Sequence, residues 1–253
     1  MNILVTNDDG YDSPGLTTLV DILSKEHSVY VLAPDRNRSA VSNHITMFKD
    51  TGIEKIKDKV YSCQGYPADC AAIGLTSDLF DVKFDLLISG INLGGNLGTD
   101  IVYSGTCAAA RQAVLNKIPS IALSIQPLTY DVEKIDYKFH TLANFVLKNL
   151  EQLKNLSSTE NPRTFVNINA VPMDSYKGIK FSKELCIKEY GDDLKIEEKD
   201  GKLVSVFRPN YHKVHVNYPE ESDISLTNKG YVNISIVFTD PFCNSVDDVK
   251  LVL

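Results

Sequence analysis

Short apolar runs alternate with amphipathic stretches along the first two thirds of the chain. Apolar runs bounded by turn residues predict buried strands, and apolar positions at helical spacing predict helices. The predicted strands lie near residues 3–5, 29–32, 60–63, 84–89, 118–125 and 164–169. The predicted helices lie near residues 14–24, 67–75, 106–115 and 131–153. This alternation predicts an α/β fold, a three-layer α/β/α sandwich with a mostly parallel Rossmann-like sheet.

A β-hairpin is predicted in the last third of the chain. Residues 195–198 and 202–207 flank Asp200-Gly201, and this dipeptide between two alternating runs is a strong short-range hairpin signal. Its strands look polar on both faces, so the hairpin cannot be stable alone in water. We expect it to protrude as an arm or to pack on another subunit.

The 253 residues are enough for one large core with a small appendage. We assign residues 1–172 to an α/β catalytic core. Residues 173–253 form a β-rich C-terminal extension that contains the hairpin and one more apolar strand near residues 231–238. We expect this extension to serve in oligomerisation and not to fold independently.

Charge and cysteine usage restrict the function classes. The net charge of -7 argues against a broad surface for nucleic acid or for an anionic membrane. No signal peptide and no bilayer-spanning apolar stretch is visible, so we expect a cytoplasmic protein. The five cysteines are an odd number without CxxC spacing, which fits reduced thiols better than a disulfide framework or a zinc site.

The motif Asn7-Asp8-Asp9-Gly10 directly follows the first predicted strand. In open parallel sheets, ligands bind beyond the carboxyl ends of the strands. Two adjacent carboxylates repel each other unless a cation compensates them, and a hard divalent cation prefers oxygen ligands. The alternative is that one of the two aspartates caps the next helix or forms an Asx turn.

Two further polar loops follow predicted strands and carry Ser39 and Asn92. If these strands are neighbours of the first, both side chains meet Asp8 and Asp9 at one rim of the sheet. The resulting oxygen-only ligand set suits Mg²⁺ or Mn²⁺ and suits Zn²⁺ poorly. Alternatively, Ser39 is a helix cap and Asn92 a turn residue.

A Gly-rich loop at residues 90–105 leads into the helix predicted to begin at Thr106. The N–H groups at a helix start, together with the hydroxyls of Ser104 and Thr106, can bind an anion. The loop is neither a Walker motif nor a G-x-G-x-x-G motif. The alternative is a Ser/Thr helix cap after a flexible loop.

Several separated motifs in this order resemble the SurE (survival protein E) family of metal-dependent 5′-nucleotidases. The matching segments are NDDG with DSPG, VLAPDRNRSA…NHIT, GYPADC, SGIN-GGN-GTDIVYSGTCAAA and SDISLTNKGYVNIS. The metal ligands that the resemblance implies are Asp8, Asp9, Ser39 and Asn92, the same set that the oxygen chemistry indicates. All four are present.

The resemblance implies a phosphomonoesterase that acts on nucleoside 5′-monophosphates, with side activity on 3′-monophosphates or short polyphosphate. It implies one divalent cation, Mg²⁺ or Mn²⁺, per subunit. Asp8 and Asp9 are the expected catalytic residues, and Asp8 is the candidate for orienting or deprotonating the attacking water. The expected phosphate-binding residues are Asn96, Ser104, Gly105 and Thr106.

The chain departs from the family pattern at a few positions. Tyr66 replaces the usual small polar residue before Pro-Ala-Asp-Cys, Cys107 replaces an apolar residue, and Gln112 stands where an acidic residue is common. These departures concern substrate preference and not the metal site. The resemblance also implies a homodimer, or a homotetramer of paired dimers, in which C-terminal segments reach across to the partner.

Three alternatives stay open. A phospho-aspartyl intermediate on Asp8 is one, although a spaced D-x-D arrangement is missing. A non-catalytic receiver-like signalling module also carries paired acids after its first strand, but this chain is about twice too long for one. A nucleotide-sugar transferase is the third, and it lacks a separate acceptor domain here.

Overall fold

The structure is a computed structural model and describes residues 1–128, 136–208, 215–217 and 219–241. The first seven strands are β1 (Asn2–Thr6), β2 (Ser28–Pro34), β3 (Ile53–Lys57), β4 (Val60–Cys63), β5 (Leu86–Leu93), β6 (Ser120–Ile125) and β7 (Thr164–Ala170). The later strands are β8 (Ile179–Phe181), β9 (Ile187–Glu189), β10 (Asp193–Lys199), β11 (Lys202–Arg208), β12 (His215–Asn217) and β13 (Val232–Phe238). The helices are α1 (Pro14–Leu23), α2 (Pro67–Thr76), α3 (Asp100–Tyr103), α4 (Gly105–Leu115), α5 (Phe139–Lys148), α6 (Leu150–Asn155) and α7 (Asp223–Asn228).

A nine-stranded sheet has the order β3-β4-β2-β1-β5-β6-β7-β13-β8. The six strands from β4 to β7 in this order are parallel. At one end β3 is antiparallel to β4, and at the other β13 is antiparallel to β7 and parallel to β8. The predicted mostly parallel sheet is confirmed. Since β1 lies between β2 and β5, the loops that follow these three strands leave from the same edge of the sheet.

Helices cover both faces of the sheet because neighbouring strand residues point to opposite sides. Ile3 and Val5 of β1 belong to the core formed with α1, α5 and α6, whereas Leu4 belongs to the core formed with α2 and α4. Each fully buried side chain of this size contributes about 1.5–3 kcal/mol to stability. This three-layer packing holds the carboxyl edge of the sheet in place.

The strand β5 is longer than predicted. It continues past Ser89 to Leu93, with a register shift between Ser89 and Asn92, after which Asn92 pairs with Ser124 of β6. The expected loop at residues 90–105 is therefore wrong in its extent, because it begins only after this strand and contains the short helix α3. Asn92 thus lies in the sheet itself and not in a turn.

The single helix predicted at residues 131–153 is also wrong. The predicted start lies outside the described residues, and the described part consists of α5 and α6, which are separated at Asn149. Asn149 has a φ of -118°, and its side-chain amide donates to the carbonyl of Phe145 at 2.8 Å. This bond satisfies a carbonyl at the end of α5 and lets the chain turn before α6. The edge strand β3 was not predicted.

The hairpin of β10 and β11 is confirmed, and Asp200 and Gly201 have φ values of 52° and 72° as its two-residue turn requires. The prediction that both faces of the hairpin are polar is wrong, because one face is apolar. The apolar side chains on that face are Leu194, Ile196, Leu203 and Phe207, which are 65%, 68%, 77% and 56% exposed. They share a face because Leu194 pairs with Phe207 and Leu203 with Glu198.

The C-terminal extension also contributes to the central sheet, since β8 and β13 belong to it. Val232 and Ile234 of β13 are buried in the same core as β1. The division at residue 172 stays a prediction. Within the described ranges, no helix is both long enough and apolar enough to cross a membrane.

Candidate metal and phosphate site

Asp8 lies at the carboxyl end of β1 and is held by the start of α4. Its Oδ1 accepts a hydrogen bond from the Thr106 hydroxyl at 2.7 Å, and its Oδ2 accepts one from the Thr106 N–H at 3.2 Å. Gly105 permits this approach, because a methyl group in place of its hydrogen would lie 3.1 Å from Asp8 Oδ2. Both oxygens of the buried carboxylate are therefore fixed in orientation.

Asp9 connects the other two polar loops to the same site. Its Oδ2 accepts from the N–H of Leu93 at 3.1 Å, and its Oδ1 lies 3.4 Å from the side-chain nitrogen of Asn37. The side-chain oxygen of Asn37 in turn accepts from the N–H of Ser39 at 3.0 Å. Asp9 thereby brings the segment of Ser39 and the end of β5 together. The role of Asn37 was not predicted, although it lies in the polar loop.

Ser39 is exposed, and its loop is also tied to Asp8 through the backbone. The N–H of Arg38 donates to the carbonyl oxygen of Asp8 at 2.7 Å. The Ser39 hydroxyl has no hydrogen bond within the part of the chain that the structure describes. This hydroxyl is thus available to a ligand at the rim.

Asn92 is buried at the end of β5, next to the residue that binds Asp9. Its side-chain nitrogen donates to the carbonyl of Gly94 at 2.8 Å. No described residue donates to its side-chain oxygen, so this oxygen can accept from or coordinate a ligand. An amide held in this way offers a neutral oxygen ligand.

The charges of Asp8 and Asp9 are not compensated by protein cations. Among the residues that the structure describes, neither carboxylate forms a salt bridge. Burial raises the pKa of Asp8, against the hydrogen bonds from Thr106. Burial, with the neighbouring charge of Asp8, raises the pKa of Asp9 to about 7. A bound cation would reverse both effects.

The donor set fits a hard divalent cation. It consists of two carboxylates, a hydroxyl and an amide oxygen, which together suit Mg²⁺ or Mn²⁺. In the described ranges, no group of three or more His, Cys, Asp or Glu side chains could hold a metal ion. A site of this composition depends on Ser39 and Asn92 in addition to the carboxylates.

Two of the predicted phosphate-binding residues at the start of α4 already make other contacts. Ser104 is the N-cap of α4, and its hydroxyl oxygen accepts from the N–H of Cys107 at 2.9 Å. Ser104 therefore acts as a helix cap in this structure. Both donors of Thr106 are used by Asp8, so Thr106 serves to orient the carboxylate. Phosphate binding by Ser104, Gly105 and Thr106 stays a prediction.

Asn96 is fixed by a polar network that was not predicted. Its N–H donates to the side-chain oxygen of Asn169 at 2.9 Å, and its carbonyl accepts from Asn167 and Asn169. Its side-chain nitrogen donates to the hydroxyl of Ser124 at 2.8 Å. The alternating asparagines in the apolar strand β7 are the sequence signal for this network. Its contacts hold the loop at the carboxyl edge of β6 and β7, where Asn96 was predicted to meet phosphate.

Comparisons with known proteins agree over most of the chain. The family model described as "Survival protein SurE" matches residues 3–190. A protein named 5′-nucleotidase SurE from Petrotoga mobilis is 39% identical over 239 residues, which cover 93% of this chain and 92% of that protein. A 5′-nucleotidase SurE from Treponema pallidum is 42% identical over 183 residues, with 70% and 93% covered. The crystal structure of the SurE protein from Aquifex aeolicus superposes with a TM-score of 0.76 at 30% identity, with 95% and 94% covered.

Proposed function

The chain belongs to the survival protein SurE family, and from this premise we propose that it is a phosphatase that releases phosphate from nucleoside 5′-monophosphates. The relatives named 5′-nucleotidase SurE support this activity, and it is a phosphoric monoester hydrolysis. Neither the receiver-like module nor the nucleotide-sugar transferase is supported by these relatives. We further propose that the activity depends on one divalent cation, Mg²⁺ or Mn²⁺, per subunit.

One observation carries the metal dependence. Asp8 is buried beside Asp9 at the carboxyl edge of the sheet, and no described cationic side chain pairs with either. An uncompensated carboxylate pair in a buried position is costly and needs a cation or a proton. Asp8, Asp9, Ser39 and Asn92 would hold the cation, which when bound acts as a Lewis acid on the phosphate and offsets its charge.

The protein groups around this site orient the reacting atoms. Thr106 fixes the plane of the Asp8 carboxylate, so that Asp8 can position or deprotonate an attacking water. The N-terminus of α4 begins at Gly105, beside Asp8, and its partial positive charge favours an anionic substrate there. Phosphoryl transfer needs mainly positioning and charge stabilisation, which this arrangement supplies.

We also propose that the protein is cytoplasmic and forms a homodimer or homotetramer. The exposed apolar face of the hairpin supports assembly, because a free surface of this kind is usually covered by a partner. No nucleic acid polymer or membrane is proposed as a partner, since the net charge of -7 would repel both.

Phosphate release from a panel of substrates tests the proposal. The panel contains the four common nucleoside 5′-monophosphates, a nucleoside 3′-monophosphate and tripolyphosphate, with the side activities measured in the same assay. We expect release from the 5′-monophosphates with Mn²⁺ or Mg²⁺ and nearly none after EDTA treatment. Exposed Asp21 of α1 gives a matched control, because Asp21→Asn removes a carboxylate far from the rim and should leave the rates unchanged. Full activity in EDTA would contradict the metal-dependent mechanism.

A further inference from the structure

An aromatic pair lies beside the site and takes no part in the steps above. Tyr66 is the N-cap residue of α2, and His44 lies in the irregular segment between β2 and β3. Their ring centroids are 4.0 Å apart with the planes tilted by 51°. The guanidinium carbon of Arg38 lies 5.2 Å from the centroid of the Tyr66 ring. His44 is exposed and Tyr66 is half-buried, so ring surface is accessible.

Two connections place this pair next to Asp8. Arg38, which contacts the Tyr66 ring, donates its backbone N–H to the carbonyl of Asp8 at 2.7 Å. Pro67, the residue after Tyr66, packs against Gly105. A methyl group on Gly105 would lie 2.9 Å from Pro67 Cγ and 3.1 Å from Asp8 Oδ2. The aromatic pair therefore flanks the position where a substrate phosphate would bind.

Asp69 joins the two segments that carry the rings. Its buried carboxylate accepts from the N–H of Thr46 at 2.8 Å and from the Thr46 hydroxyl at 2.7 Å. It also accepts from the N–H of Tyr66 at 2.9 Å. Thr46 is two residues from His44, so one carboxylate holds the segments of both rings. The backbone segments that carry the pair are thus held together before any ligand binds.

We propose that Tyr66 and His44 form a stacking surface for the base of the nucleotide, which makes Tyr66 a specificity-determining residue. Bases stack on aromatic side chains regardless of their hydrogen-bonding pattern. Because only the ribose separates the base from the phosphate, a surface that flanks the phosphate position is within reach of the base. The inference rests on the proposed function for the identity of the substrate.

A base-free substrate separates stacking from general damage to the site. The turnover of AMP and of ribose 5-phosphate is compared in the wild type, in Tyr66→Ser and in Tyr66→Phe. We expect Tyr66→Ser to lower kcat/KM for AMP by about tenfold, mainly through KM, and to leave ribose 5-phosphate unchanged. Tyr66→Phe keeps the ring and should retain the wild-type preference. Equal losses on both substrates, or no loss on AMP, would overturn the stacking surface.

Tyr231 provides a matched control at the far end of the sheet. Its ring also lies under a cation, Lys180, at 5.7 Å, so Tyr231→Ser removes a comparable ring and should not change the preference for AMP. Adenosine binding, measured by calorimetry, gives a readout without turnover, and Tyr66→Ser should weaken it by about tenfold. If adenosine bound through Tyr66 while the wild type failed to hydrolyse AMP, the stacking surface would stand and the proposed function would fail.

Discussion

The carboxyl rim of the sheet and the C-terminal hairpin are incomplete in opposite ways. The rim buries Asp8 beside Asp9 without a cationic partner in the described part of the chain. The hairpin exposes Leu194 and Ile196 to solvent on one face. One region has buried negative charge without a protein counter-charge in the described part of the chain, and the other has exposed apolar surface. The proposals of a bound cation and of a partner subunit rest on these two features.

The two regions also differ in how they are held. The rim is fixed by hydrogen bonds from backbone N–H groups, for example from Leu93 to the Asp9 carboxylate and from Arg38 to the Asp8 carbonyl oxygen. The hairpin forms a separate two-stranded sheet outside the nine-stranded one. A substitution at the rim should therefore change chemistry, whereas a substitution on the hairpin should change assembly.

The largest expected effect is on catalysis. Asp8→Asn removes one charge from the proposed ligand set and should lower kcat/KM for AMP by about a thousandfold. The protein should stay folded, because a neutral amide is less costly to bury than an uncompensated carboxylate. Phosphate release and circular dichroism measure both outcomes. Retention of wild-type turnover would exclude Asp8 from the chemistry.

The next effect is on assembly. Leu194→Ser combined with Ile196→Ser removes apolar surface from one hairpin face and should raise the subunit dissociation constant by roughly a hundredfold. Lys195→Ser combined with Glu197→Ser changes the opposite face and serves as the matched control. Light scattering gives the mass of each variant, and AMP turnover should persist. An intact protein that is monomeric at micromolar concentration would contradict the assembly proposal.

A smaller effect is expected at the hydrogen bond that orients Asp8. Thr106→Val keeps the shape of the side chain but removes a donor to a carboxylate, a bond of about 1.5–3 kcal/mol. Turnover should fall by about ten- to a hundredfold, with Thr106→Ser restoring most of it. Thr76→Val at the end of α2 removes a similar hydroxyl, which donates to the carbonyl of Ala72, and is the control. Unchanged turnover in Thr106→Val would show that this bond does not orient Asp8.

The last effect is on stability without metal, and it does not depend on turnover. The pKa of Asp9 rises from 3.8 to about 7 in the folded state, so the unfolded chain loses this proton first as the pH increases. The free energy of unfolding should therefore fall as the pH rises through this window. Mn²⁺ should reverse the fall, and thermal unfolding at both ends of the window measures it. A pH dependence that Asp9→Asn does not reduce would assign the effect to other groups.

The sequence predicted the rim better than its supporting residues. Apolar runs locate β1 and β5, and the topology of parallel sheets then brings Asp8 and Asn92 to the same edge. Asn167 and Asn169 could not be assigned in this way, because polar residues within an apolar strand do not identify their partners. Their contacts with Asn96 arise only when β7 and the loop are packed together.

Two errors in the prediction have local causes. The pattern near residues 131–153 continues through Asn149, and it does not show that the side chain of Asn149 bonds to Phe145 and ends the helix there. The apolar face of the hairpin depends on cross-strand register. Leu194 and Phe207 look like isolated apolar residues in the sequence, and they become neighbours only when β10 pairs with β11.

The order of strands in the sheet has a consequence for synthesis of the chain. β1 is made first and becomes a central strand, so one of its edges stays open until β5 has left the ribosome. β13, near the end of the chain, pairs with β7, all of whose residues are buried. A chain that stops at residue 172 would leave the edge of β7 open to other chains. The last part of the chain therefore protects the newly made sheet from aggregation.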